Sequence, residues 1–360
     1  MALLVNRPVE PRPAHVVSLH DEPLLSARVL FAAVRQPLRV LRSLSPRAVW
    51  LAQTLRQRGI SEVRAEDPRL QRAAKTIQSL IGDARPDTSL LDLDWSPLGV
   101  QSIGIRWIAT RLDAAVAEVV LDGTREAIVK QHRAQPVVER ARHEASALGR
   151  LQNVPRVLLF DERRATIVME RAPGVSLDRL FARAEPAQLL AALERAGVWL
   201  RAMQSATRRD AESGVLAEIL ATAKKDANGD ARLLRALDRD IAAQPVVGHH
   251  GDFWPGNIFI DGERVTVIDF EGFREGLPLE DVAYFLIRVE LLARRFRVRT
   301  RGLDEAFLRG YGEVDRDALR LFTITKGLRT LANGTGGNLP LPQRLWMRSV
   351  IRGAIRRAIC

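Results

Sequence analysis

One stretch limits the folding options of this chain more than any other. Residues 246–282 read VVGHHGDFWPGNIFIDGERVTVIDFEGFREGLPLEDV. Ile258–Ile260 and Val265–Ile268 are β-branched runs joined by a turn containing Asp261-Gly262, and Asp-Gly between such runs is a strong hairpin signal. Antiparallel pairing sets the start of the first strand beside the end of the second. Asn257 and Asp269 are therefore expected to meet at the open end. An amide oxygen and a carboxylate are hard ligands suited to Mg²⁺. Upstream, Val246-Val247 leads into His250-Gly251-Asp252. Asp252 is expected one tight turn before Asn257, where it could face a substrate hydroxyl beside the metal. Each residue alone has an ordinary reading: a capping Asp, a turn-forming Asn, a strand-ending Asp. Together, around one hairpin, they point to phosphoryl transfer. The His249-His250 pair has no further His or Cys at ligand spacing, which argues against a transition-metal site.

The spacing H-x-D-x-x-x-x-N, with D-F about a dozen residues later, is the kinase catalytic-loop and metal-loop pattern. His250, Asp252, Asn257 and Asp269 carry it. The wording HGDFWPGN…IDFE resembles the aminoglycoside phosphotransferase and choline kinase-like family rather than protein kinases. Gly251 stands where protein kinases keep an Arg that reads a phosphorylated activation loop. Glu271 stands where they have the Gly of D-F-G. The resemblance is specific over roughly 246–285, looser from about 115 to 205, and silent on the first ninety residues. It implies an α+β, two-lobed protein kinase-like fold. The small antiparallel-sheet N-lobe, over 91–172, would bind nucleotide. The mainly helical C-lobe, over 173–360, would hold catalysis and acceptor.

Other residues take expectations from the same resemblance. Val116–Leu121 and Ala127–Lys130 flank Asp122-Gly123, a second hairpin signal. Lys130 ends the strand AIVK, where the family binds ATP phosphates. Glu144, on a helix expected over about 136–151, is the favoured partner for Lys130, with Glu139 the rival. Val157–Phe160 and Thr166–Glu170 pair, and Met169-Glu170-Arg171 looks like the hinge that reads the adenine edge. Ser176 caps the next helix, and LLAALERAGVWLRAMQS forms the central core helix. Asp281 buttresses the catalytic loop. One departure stands out: the phosphate-covering loop reads ATRLDAAV, without the Gly that eases close backbone approach. Arg111 lies in it.

The N-terminal ninety residues read as a basic helical extension. Residues 1–23 are Pro-rich and irregular, and helices are expected over about 24–44, 46–58 and 68–81. One Cys among 360 residues excludes an intrachain disulfide framework and suits a reducing compartment. The opening MALLVNRPVEPRP has too short an apolar run for a secretory signal. The expected location is cytoplasmic, with a membrane-peripheral variant. The net charge is +12. No nucleic-acid motif is recognisable, so no nucleic acid is expected as partner. Arg344, Arg348, Arg352 and Arg356 recur on one face of a C-terminal helix, so 340–360 either meets an anionic membrane or packs its apolar side on the body.

The expected activity is ATP- and Mg²⁺-dependent transfer of the γ-phosphoryl group to a hydroxyl of a small molecule. The Arg-rich large lobe leans toward an anionic, sugar-like or lipid-linked acceptor. A nucleotide-binding pseudokinase scaffold, or a basic membrane- or nucleic-acid-binding module, are the alternatives.

Overall fold

A computed structural model describes residues 15–18, 60–64, 91–110, 114–209, 214–333 and 341–359. The chain divides into two units, Met1–Ala134 and Gln135–Cys360.

Within the first unit, His15–Ser18 (β1) pairs in parallel with Ile60–Arg64 (β2). The described parts of the first ninety residues are thus strands, where irregular or helical chain was expected. Both segments carry valine or isoleucine, which favour extended backbone. The helices expected over 24–44, 46–58 and 68–81 lie outside the described residues. Ile103–Thr110 (β3), Ala114–Leu121 (β4) and Arg125–His132 (β5) form an antiparallel meander. Burial alternates along β4, with Ala115, Ala117, Val119 and Leu121 inward, as a half-buried strand requires. Asp122 and Gly123 both have positive φ (49° and 74°), the turn that suits strand twist. The Asp122 carboxylate accepts the Gln101 and Ser102 amides at 2.9 Å. Lys130 sits in β5 opposite Val116. Arg111, in the expected phosphate loop, lies outside the described residues.

The second unit opens with helix Val137–Arg150 (α1). The hairpin Val157–Asp161 (β6) and Thr166–Glu170 (β7) follows. Val175–Ser176 (β8) leads into Leu177–Arg183 (α2). Ser176 occupies the cap position, yet its side chain makes no capping bond. Pro186–Ala206 (α3) is the expected core helix, with Leu189, Leu193, Ala196, Leu200 and Met203 buried at helical spacing. Val215–Asp226 (α4) and Ala231–Leu237 (α5) follow. Four short strands carry the motif: Val247–His249 (β9), Ile258–Asp261 (β10), Arg264–Val267 (β11) and Arg274–Gly276 (β12). Pro278–Phe296 (α6), Leu303–Tyr311 (α7), Arg316–Ala332 (α8) and Leu341–Ile359 (α9) complete the unit.

Helix α9 turns its apolar side inward. Val350, Ile351, Ala354, Ile355 and Ala358 join a buried cluster with Ile287, Leu291, Leu321, Ile324 and Leu328. This corrects the membrane reading of 340–360: the apolar stripe that would enter a lipid surface is already covered by α6 and α8. Leu345 and Trp346 stay open on its outer side, at 57% and 38% exposure. Among the described residues no helix is long and apolar enough to cross a membrane. In the last turns of α6, Arg294 pairs with Glu290 at 2.8 Å.

Candidate active site

Two antiparallel pairs hold the motif from opposite sides. β10 and β11 pair with Ile258 opposite Val267 and Asp261 opposite Arg264. The Ile268 amide donates to the Asn257 carbonyl at 2.9 Å, so Asn257 and the Ile268-Asp269 step share the open end of the hairpin. β9 and β12 pair with His249 opposite Arg274. The loop 250–257 therefore runs from β9 to β10, the loop 268–273 from β11 to β12, and each is pinned at both ends. Gly174 lets β8 reach β10: its φ is +80°, and a Cβ there would overlap the Ile260 carbonyl.

Beneath these loops lies an aromatic stack. Phe253 lies 5.9 Å from Trp199 and 5.2 Å from Phe285, and Phe285 lies 4.3 Å from Phe307. Phe253, Phe270 and Phe285 have no exposure, so the loops rest on a solid apolar floor.

Asp252 stands at the tip, half-buried. Its Oδ1 accepts the Tyr284 hydroxyl at 2.8 Å. The Asn257 side-chain amide donates to the Asp252 carbonyl at 3.0 Å and to Oδ2 at 3.3 Å. That commits the amide nitrogen, and the side-chain oxygen is the atom of Asn257 that could hold a cation. Asp269 holds φ 70°, ψ 64°, a left-handed conformation that Asp tolerates better than most residues. It turns the chain sharply into the short helix at Phe270–Gly272. Hard oxygens on two adjoining loops fit a Mg²⁺ ion.

His250 braces the loop, as expected. Its Nε2 donates to the Ile268 carbonyl at 3.1 Å, and its Nδ1 accepts the Asp252 amide at 3.3 Å. That network needs the neutral Nε2–H tautomer. Full burial lowers the imidazole pKa, against the pull of Asp269 and Asp252, so the ring stays neutral. Asp281, wholly buried, accepts the His250 and Gly251 amides at 2.8 and 3.1 Å. Burial raises its carboxyl pKa to about 7, opposed by those two bonds and by Lys326. His249 Nε2 lies 3.1 Å from the same carboxyl without hydrogen-bonding geometry, and burial keeps that ring neutral too.

Three residues near the site gave no local signal. Glu280, 4% exposed, receives Lys326 Nζ at 2.8 Å and the Leu277 amide at 3.4 Å. Tyr284 holds Asp252. Burial and the adjacent carboxylate push its hydroxyl pKa up, against Arg288, so it remains a donor across the working range. Arg288, one turn further, lies over the rings of Trp254 and Tyr284. Only spacing on α6 would have linked 281, 284 and 288 as one face.

The remaining expected site residues are distributed as follows. Glu144 is buried on α1 while Glu139 is exposed. The same helix grips the loop 268–273: Arg140 bonds Glu271 at 2.9 Å, and His143 bonds the Phe273 carbonyl. Met169 is buried and opposite Val157. The Glu170 amide donates to the Arg156 carbonyl at 3.0 Å, and its carboxylate pairs with Arg156 at 2.7 Å. That amide is therefore committed within the hairpin instead of offered to an adenine. Arg171 follows at the strand end. Lys130 belongs to the first unit. A cavity of about 1060 Å³ in the second unit is lined by Arg150, Arg195, Trp199, Arg208 and Arg274 among others. Neither Asp252, Asn257 nor Asp269 lines it, so volume alone does not locate the chemistry.

Residues 105–322 match the phosphotransferase enzyme family APH. The chain belongs to that family. Among solved structures, aminoglycoside phosphotransferase APH(4)-Ia is similar over 75% of this chain and 98% of its own, at 14% identity and TM-score 0.51. Macrolide 2'-phosphotransferase MphH from Brachybacterium faecium aligns over 73% and 98%, at 17% identity and TM-score 0.49. A choline/ethanolamine kinase family protein from Mesorhizobium loti aligns over 71% and 86%, at 17% identity and TM-score 0.45. No curated protein matches significantly by sequence. The α+β fold is protein kinase-like, with an antiparallel-sheet N-lobe and a helical C-lobe.

Proposed function

We propose that this phosphotransferase is a Mg²⁺-dependent kinase that moves the γ-phosphoryl group of ATP to a hydroxyl of a small molecule. The observation that carries the reading is Asp252, held between the Tyr284 hydroxyl and the Asn257 amide on a loop that adjoins Asp269. Asp252 orients the acceptor hydroxyl and takes its proton as the new oxygen–phosphorus bond forms and the bond to ADP breaks. Asn257 and Asp269 hold the magnesium ion, which offsets phosphate charge. His250 and Asp281 keep the loop in register. On the strength of the family resemblance, Lys130 contributes to triphosphate binding, and Glu144, Met169, Glu170 and Arg171 belong to the nucleotide side. The single Cys supports a cytoplasmic setting.

The test is an ATP-consumption screen with Mg²⁺ over sugars, amino alcohols, aminoglycosides and lipid head groups, with product mass as second readout. Acceptor-dependent ADP release with an 80-dalton product gain is expected (about one phosphoryl group). Nucleotide binding without transfer to any acceptor would instead favour a scaffold.

A further inference from the structure

We propose that Arg288 reads an anionic group on the acceptor, so that the preferred substrate carries a phosphate or carboxylate beside its reacting hydroxyl. This rests on the kinase reading above and deepens it.

The case begins with how Arg288 is held. Its guanidinium carbon lies 4.8 Å from the Trp254 ring centre and 5.7 Å from that of Tyr284. Among the described residues no carboxylate pairs with it, although α6 carries several acids. The distinction matters. A salt bridge fixes an arginine and also neutralises it. Two aromatic faces fix the planar group while leaving its charge and its N–H edge for a ligand. Arginine's fork matches phosphate and carboxylate oxygens in pairs.

The clamp is itself built in. Trp254 folds back over Gly256, where any Cβ would overlap its six-membered ring. Tyr284 is tethered by its bond to Asp252. The proton acceptor thus takes the hydroxyl of the same tyrosine over whose ring the cation lies. A hydroxyl presented to Asp252 places its neighbouring substituents within reach of Arg288. A cationic acceptor would meet like charge there, which disfavours binding.

The experiment uses the full chain with ATP, Mg²⁺ and matched acceptors: glycerol against glycerol 3-phosphate, ribitol against ribitol 5-phosphate, and kanamycin as a polycation. Phosphatidylglycerol vesicles form a separate arm, to distinguish a lipid head group from a soluble phosphate. Wild type should favour the anionic member of a pair at least tenfold in kcat/KM. Arg288→Gln should reduce that ratio at least tenfold, and Arg288→Lys, which keeps charge without the fork, should fall between. A wild-type ratio of one or less, or the same ratio in Arg288→Gln, overturns the inference while the kinase reading stands. Failure of every acceptor, charged or neutral, overturns both.

Discussion

At the scale of single residues, the site works through a few short bonds. Replacing Asp252 with Asn keeps the shape and removes the proton acceptor. Turnover in the acceptor assay should drop about 10²–10⁴-fold, with the thermal midpoint near wild type. Tyr284→Phe removes a donor to a charged group, an interaction worth about 1.5–3 kcal/mol. Since it orients Asp252 without touching phosphate, kcat should fall at least tenfold while the nucleotide KM holds. A parallel rise in nucleotide KM would place Tyr284 elsewhere. Asp281 offers a test in pH. Its folded pKa is raised from 3.8 to about 7 by burial, so the native state keeps a proton that the unfolded chain releases. This contribution is full below about pH 4 and lost as pH rises to about 7. Asp281→Asn cannot titrate. Its thermal midpoint, lower in absolute value for want of one amide bond, should gain on wild type between pH 5 and 8. A difference that is flat with pH would contradict the raised value.

At the scale of elements, two helices cross where neither has a side chain. A Cβ on Gly197 in α3 would overlap the Phe307 carbonyl, and one on Gly310 in α7 would overlap the Glu194 carbonyl. Helix propensity alone favours Gly→Ala by about 1 kcal/mol. Here the clash is with backbone, which cannot swing away. Gly197→Ala should instead lower unfolding free energy by about 1–3 kcal/mol in denaturant titration. Lys326→Ala removes the 2.8 Å partner of buried Glu280 and should cost about 3–5 kcal/mol. The elements also show what could be read in advance. Both Asp-Gly hairpins and the α3 stripe were legible because their causes lie within ten residues of chain. The β9–β12 pair was not, because Arg274-Glu275-Gly276 has no β-branched residue and is extended only through its partner. Tyr284 meets Asp252 across 32 positions, and nothing local marks it. Ser176 misled in the other direction, since it stands at the cap position of α2 and yet its side chain makes no capping bond.

At the scale of the whole chain, the second unit is closed by its last helix. Truncation after residue 333 would bare Leu321, Ile324 and Leu328 on α8 and Ile287 and Leu291 on α6. The truncated protein should lose its cooperative unfolding transition in calorimetry or collect in the insoluble fraction. A soluble protein with a wild-type midpoint would show α9 to be dispensable. Helix α6 bears Asp281, Tyr284 and Arg288, so these braces of the site come after its loops in sequence. Synthesis on the ribosome follows the same order. The loops 250–257 and 268–273 emerge before that helix, and about eighty-five more residues follow before α9 is complete and seals the interior. A nascent chain paused within that interval would present a greasy surface to chaperones and proteases, whatever the state of its reactive groups.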